Sequence, residues 1–206
     1  MKVAIVGGTG TFGRALARKL RAAGHAVAIG SRDAQRGRER AIELGVAGGV
    51  NEDVVRGVDL VVFATKSNAA LDTARELVDA LGETPVLCVA SELAFTDNGV
   101  LPGHAESSLA EELSEIVRGP VASGLQSLSA AHLAAAELPD EDVLICGDDP
   151  RAKELALELA GPLVAGRAVD VGPLANSRAL EAMTAVILNV NREFGITAGL
   201  RLTGLP

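Results

Sequence analysis

IVGGTGTFGRALARKL, residues 5–20, decides the fold. An apolar run meets three glycines in the spacing Gly8-x-Gly10-x-x-Gly13, and an amphipathic run follows. The apolar run from Lys2 to Gly7 predicts a buried strand. Phe12, Leu16 and Leu20, four residues apart, predict a helix over Thr11–Ala23. The pattern carries meaning because of this strand-to-helix context. Gly8 permits the tight turn, Gly10 lets bare backbone approach a diphosphate, and Gly13 allows close helix–strand packing. Amides at the helix start, assisted by the helix dipole, then face the anion. The competing reading is an ordinary glycine turn that holds no ligand.

The same alternation continues along the chain. Strands are expected at Ala26–Gly30, Asp59–Thr65 and Pro85–Ala90, with a shorter one near Val46–Val50. Helices are expected at Ala34–Leu44, Ala69–Leu81 and Glu106–Val117. Ser91–Ala105 shows no clear period and reads as a long functional loop. Further strands are expected at Pro120–Gly124, Val143–Cys146 and Ala168–Val171. Asp149 and Pro150 form a cap-and-first-turn pair that opens another helix. Ser177–Arg192 reads as a long helix, apolar on more than one face and suited to a lobe or subunit interface. Continuous apolar strands alternating with helices predict an α/β fold: a Rossmann-type, doubly wound, mostly parallel sheet with a smaller α-rich C-terminal part. The expected division is a nucleotide-binding domain at residues 1–122 and a C-terminal domain at residues 123–206.

The second strand selects the nucleotide. An NAD site usually ends this strand with a carboxylate that accepts from the ribose 2′-hydroxyl. Here Ser31 and Arg32 occupy the place, with Arg36 four residues on. A hydroxyl and two guanidiniums suit a 2′-phosphate, so NADP is expected over NAD. Asp33 is expected to cap the next helix. The competing reading is a solvated basic helix start. The end of the third strand, at Ala64, Thr65, Lys66 and Ser67, is expected beside the nicotinamide ribose, because ligands of such sheets collect at that edge.

Composition bounds the rest. The 206 residues carry a net charge of −8 and a mean hydropathy of +0.28, with neither Trp nor Tyr. This suits a folded soluble protein and argues against a duplex nucleic-acid binder, which needs a basic face. No apolar run approaches the ~18 residues of a membrane span. Cys88 and Cys146 each sit in an apolar run, expected to be buried and reduced. The first strand begins almost at the amino terminus and leaves no room for a signal peptide. These features give a cytoplasmic reading.

No nucleophile elbow, zinc-protease helix or paired cysteine cluster occurs in the sequence. His25 reads as a turn residue, His104 as part of a polar loop, and His132 as part of a short helix without an evident partner. Such a chain suits hydride transfer between two cofactors, where the reacting carbons belong to the ligands and the protein orients them. Lys66 is the one basic candidate beside the expected nicotinamide, against the bland alternative of a solvent-facing loop lysine.

Five stretches together carry a resemblance over nearly the whole chain. They are GGTGTFGRALARKLRAAGH (7–25), GSRD (30–33), CGDDPRAKELALELAG (146–161), DVGPLANSRALEAMTAVILNVNR (170–192) and AGLRLTGL (198–205). They resemble the NADPH-dependent reductases of coenzyme F420, a deazaflavin. The resemblance implies NADP on the nucleotide domain, matched at Thr9, Thr11, Phe12, Ser31, Arg32 and Arg36. It further implies a deazaflavin cleft completed by the C-terminal part, stacked rings exchanging a hydride, and a homodimer. Three segments depart from the family pattern: Thr65–Ser67 replaces a proline-containing turn, Ser91–Leu93 an Asn-Pro-type loop, and Gln126–Ser127 a His-Thr pair. Lys66 and Gln126 are therefore the candidate catalytic residues, and Glu92 would oppose the Lys66 charge. An NADPH-dependent reductase of another flavin or small substrate, and a non-catalytic NADP-binding module, remain alternatives.

Overall fold

The computed structural model describes residues 1–103 and 106–205. Strand β1 (Lys2–Val6) leads through the glycine turn into α1 (Thr11–Ala22), followed by β2 (Ala26–Ser31) and α2 (Ala34–Leu44). Next come β3 (Ala47–Val50), α3 (Asn51–Val54), β4 (Leu60–Phe63), α4 (Ser67–Leu81) and β5 (Val86–Cys88). A hairpin of β6 (Leu93–Thr96) and β7 (Gly99–Pro102) precedes α5 (Leu109–Ser114) and β8 (Val121–Gly124). The chain ends through α6 (Ala130–Ala134), β9 (Val143–Gly147), α7 (Pro150–Ala160), β10 (Ala168–Asp170) and α8 (Ser177–Phe194).

Among the described residues, eight strands form one sheet in the order β10-β9-β8-β5-β4-β1-β2-β3. β8 and β9 pair antiparallel and the other neighbours pair parallel, so β9 and β10 run against the remaining six. The fold is Rossmann-type and mostly parallel, as expected. Both faces are covered, and β1 shows how. Val3 and Ile5 join one apolar cluster with Leu16 and Leu20 of α1, while Ala4 and Val6 join another with Phe63 and Leu77. All four β1 residues are fully buried, which is why the strand reads as continuous rather than alternating. After β1 the chain builds outward through β2 and β3, then crosses back to β4 on the other side. The gap between β1 and β4 is therefore the switch point at which ligands of such sheets bind.

Two expectations change. The helix predicted over Glu106–Val117 shortens to Leu109–Ser114, because Ser108 and Glu111 form a reciprocal capping box that fixes the start later. The loop predicted over Ser91–Ala105 contains the β6–β7 hairpin. Thr96 pairs with Gly99 across a two-residue turn at Asp97 and Asn98. Asp-Asn-Gly is a recognisable hairpin turn, with Gly99 at φ 134°. The side chain of Asn189 on α8 then donates to Val100 O at 2.7 Å and accepts from Val100 N at 2.9 Å, docking the hairpin as a further strand would. His104 lies outside the described residues.

Candidate functional site

The turn after β1 is set by backbone proximity. A Cβ at Gly13 would sit 2.7 Å from both Gly7 O and Gly8 Cα, so α1 can approach β1 this closely only without a side chain. At Gly10 a Cβ would meet only Gly7 O, at 3.3 Å, a tight approach that a shift of a few tenths of an ångström relieves, so the fold needs that glycine far less than Gly13. Gly10 is the N-cap of α1, no side chain caps the helix, and its first turn holds no acidic residue. The first amides of α1 are thus left to whatever enters the cleft.

That cleft encloses about 810 Å³, within the range of small-molecule sites. Thr9 and Gly10 line one part, Ser31, Arg32 and Arg36 another, and Ala64, Thr65 and Lys66 the third. The structure therefore brings together, along one cleft, segments from β1, β2 and β4. Gly8 and Gly13 are buried behind it, and Phe12 packs against the core beneath α1; Thr11 lies at the helix start without lining the cleft. Asp33 Oδ1 accepts from Arg36 N at 2.7 Å, so its carboxylate caps α2 as expected. Arg32 and Arg36 are exposed and have no ion-pair partner among the described residues. Thr65 Oγ1 is buried at the cleft wall without a hydrogen-bond partner among the described residues. Gly7, Asn51 and Thr73 also line the cleft. Gly7 has φ 81° and a would-be Cβ 2.7 Å from Ala64 O, a constraint outside the three-glycine motif.

The departures from the family pattern stand on adjacent strand ends: Thr65 after β4, Ser91 after β5, Gln126 after β8. α8 ties two of them together. Thr184 Oγ1 lies 3.0 Å from Ser91 Oγ and donates to Gln126 O at 3.1 Å. Gln126 Nε2 donates to Ser123 Oγ at 2.6 Å and to Cys88 O at 3.4 Å. Because a carbonyl can only accept, this fixes the amide, and Oε1 is left buried without a partner among the described residues. The preceding residue, Leu125, has φ 68°, a region costly for a non-glycine side chain, and its complete burial holds it there.

One turn before Thr184, Glu181 is buried with its carboxylate accepting from Glu92 N at 3.3 Å and Ala110 N at 3.4 Å. Burial pushes its pKa up to about 7. Neither the hydroxyl cluster nor this acid has a sequence motif; only α8 lying across the strand ends assembles them. A raised carboxyl pKa stabilises the fold below the unfolded value near 4.5, and that stability is lost as pH rises through about 7. Glu181→Gln is therefore expected to remove a fall in melting temperature between pH 5 and pH 8 that the unaltered protein shows. Parallel melting curves for the two proteins across that range would sink the assignment.

Comparison with known proteins gives a consistent result. Residues 2–91 match the family model described as NADP oxidoreductase, coenzyme F420-dependent. The F420-dependent NADP reductase of Methanothermobacter thermautotrophicus is 31% identical over all of this chain and 96% of its own length. That of Methanocaldococcus jannaschii is likewise 31% identical, over all of this chain and 99% of its own. This chain belongs to the F420-dependent NADP reductases. A crystal structure from Arthrobacter sp. FB24, provisionally described as such a reductase, superposes with a TM-score of 0.87 at 24% identity, covering 98% of this chain and 99% of its own.

Among the described residues, no cysteine or histidine lines the cleft. Cys88 and Cys146 are buried, and burial pushes both thiols up to about 12. His25 is half-buried beside the amino terminus, its pKa lowered chiefly by burial. His132 does sit on a short helix, α6, but it has a partner that sequence did not reveal: Nδ1 pairs with the buried carboxylate of Glu141. No helix among the described residues is long and apolar enough to cross a membrane.

Proposed function

We propose that this protein transfers a hydride between NADP(H) and the deazaflavin F420 at the carboxyl edge of β1, β2, β4, β5 and β8. The chain is an NADP-dependent oxidoreductase by family. One observation carries the placement: an uncapped helix start without acidic residues opens on a cleft whose far end holds two unpaired guanidiniums. A dinucleotide with a diphosphate in the middle and a third phosphate at the adenosine end matches that charge pattern. Thr9, Gly10, Thr11 and Phe12 would supply amides to the diphosphate, and Ser31, Arg32 and Arg36 would hold the 2′-phosphate. Ala64 and Thr65 would flank the nicotinamide ribose.

In the reducing direction NADPH gives up a hydride, the acceptor gains it with one proton, and NADP⁺ remains. The protein's part is to align the two rings and exclude water. Gln126 Oε1, with no partner of its own, would accept from a donor edge of the acceptor ring. Lys66, exposed at the cleft mouth, would favour anionic groups there. Residues 1–122 would hold the nucleotide and residues 123–206 would complete the acceptor side through Gln126 and α8. Val186 and Phe194 on α8, 56% and 70% exposed, are an apolar surface suited to a homodimer. A cytoplasmic location fits the two unpaired cysteines.

The test is loss of the oxidised deazaflavin absorbance when protein, NADPH and F420 are mixed. NADPH oxidation by FMN or riboflavin but not by F420 would instead point to another flavin as acceptor. Tight NADP binding with no turnover of any acceptor would point to a non-catalytic module. For the diphosphate turn, Gly10→Ala is expected to fold with a modest loss of stability, since its Cβ meets one atom at a tight 3.3 Å, and to weaken NADPH binding about tenfold or more. Melting curves with calorimetric titration check both halves of that statement. A variant that binds NADPH as tightly as the unaltered protein removes the diphosphate from this turn.

A further inference from the structure

Asn51 begins α3, one residue beyond the pairing of Ser31 with Val50. It is only 8% exposed and lines the same cleft as Ser31 and Arg32. Its Oδ1 is buried and accepts no hydrogen bond from any described residue. Such an orphan is costly unless a ligand completes it. The sheet is shaped around this oxygen: a Cβ at Gly30 would lie 2.3 Å from Oδ1, so β2 carries no side chain where Asn51 reaches across.

The chemistry of a phosphorylated ribose explains why an amide stands there. The 2′-phosphate needs donors, which Ser31, Arg32 and Arg36 offer. The neighbouring 3′-hydroxyl needs an acceptor. A carboxylate at the end of the second strand serves ribose hydroxyls in NAD sites, but beside a phosphate it would add like-charge repulsion. This chain has no carboxylate at position 31, and that of Asp33 is engaged in capping α2. An amide oxygen accepts without bringing charge.

We infer that Asn51 is a specificity-determining residue whose orphaned Oδ1 accepts from the 3′-hydroxyl of the adenosine ribose while the adjacent guanidiniums hold the 2′-phosphate. This rests on the NADP reading above. The experiment is calorimetric titration of NADPH and NADH into the full chain and into Asn51→Ala and Asn51→Asp, with melting curves as a folding check. Because the 3′-hydroxyl is common to both nucleotides, Asn51→Ala is expected to weaken NADPH and NADH alike, by about two- to tenfold. Asn51→Asp keeps an acceptor but adds charge. It is expected to weaken NADPH about tenfold or more and to leave NADH within about threefold or tighter. The inference is overturned if Asn51→Ala weakens NADPH alone, since the amide then serves the phosphate. It is equally overturned if Asn51→Ala changes neither affinity, or if Asn51→Asp weakens both equally. Either variant decides the matter alone should the other fail to fold. Failure of the unaltered protein to bind NADPH would instead bring down the nucleotide reading, and this inference with it.

Discussion

Arg32→Ala is expected to lower affinity for NADPH by about 10- to 100-fold and to leave NADH within about threefold, because in the proposed site the guanidinium serves a group that only NADPH carries. Arg32 follows β2 directly, is exposed, and has no carboxylate to hold it among the described residues. An unpaired guanidinium needs no existing ion pair broken before it meets a phosphate, so most of the interaction appears as affinity. Two parallel N–H donors to one phosphate account for the upper end of that range. The contact is solvent-facing, so the loss should shrink as salt is raised from about 0.05 M to 0.5 M. Arg36→Ala should give a smaller loss of the same kind, since Arg36 sits four residues further along at the start of α2. Calorimetry with both nucleotides at two ionic strengths is the measurement. Equal losses for NADPH and NADH, or a loss that ignores salt, would place the 2′-phosphate elsewhere.

What the sequence reveals and what it hides divides along the reach of each interaction. The glycine turn, α1, the Asp33 cap of α2 and the Asp149–Pro150 start of α7 all depend on residues only a few positions apart along the chain, and the structure has each of them. Ser31, Arg32 and Arg36 were legible because the turn fixes where β2 must end. Gln126 stood out as a departure from the family pattern, but its orphaned oxygen did not, because that follows from Cys88 O lying across the sheet. Asn51 and Glu181 gave no signal at all. Their roles depend on Gly30, 21 positions away, and on Glu92, 89 positions away. The hairpin is a different case: Asp97-Asn98-Gly99 is a turn signal in its own right, obscured because β6 is short and mostly exposed and its docking partner, Asn189, is remote. Local chemistry therefore predicts the residues of the proposed nucleotide side, while those of the proposed acceptor side need the tertiary fold.

The proposed acceptor side also depends on an ion pair between the buried Asp142 carboxylate and the partly exposed Arg167, which anchors residues 200–202, and Asp142→Ala is expected to cost about 3 kcal/mol of stability, lowering the melting temperature by roughly 6–12 °C. Asp142 is fully buried just before β9. Its Oδ1 accepts from Arg167 N at 2.9 Å and Nε at 3.2 Å. Its Oδ2 accepts from Arg167 Nη2 at 2.8 Å and Leu202 N at 2.8 Å. Alanine leaves all of these donors without that acceptor, and the two backbone amides cannot turn to water without loosening the tail. The Arg167 guanidinium beside Asp142 holds its carboxyl well below the usual carboxylate range. A depressed carboxyl pKa stabilises above the unfolded value near 3.8 and loses that contribution as pH falls below it. The gap between the unaltered protein and Asp142→Ala should therefore be widest near neutrality and narrow below about pH 4. A gap of constant size down to pH 3 would show that the carboxylate is not the stabilising group. The functional consequence follows from the tail's course. Asp142 N donates to Leu200 O at 2.7 Å, and Leu200 shares the wall of a small cavity with Gln126, Leu180 and Met183. Freeing residues 200–202 exposes the side of Gln126 without touching the glycine turn or Arg32. At a temperature where Asp142→Ala is still folded, KM for the acceptor should rise while NADPH affinity stays as it was. Equal changes in both would mean that the tail supports the whole sheet and not the acceptor side alone.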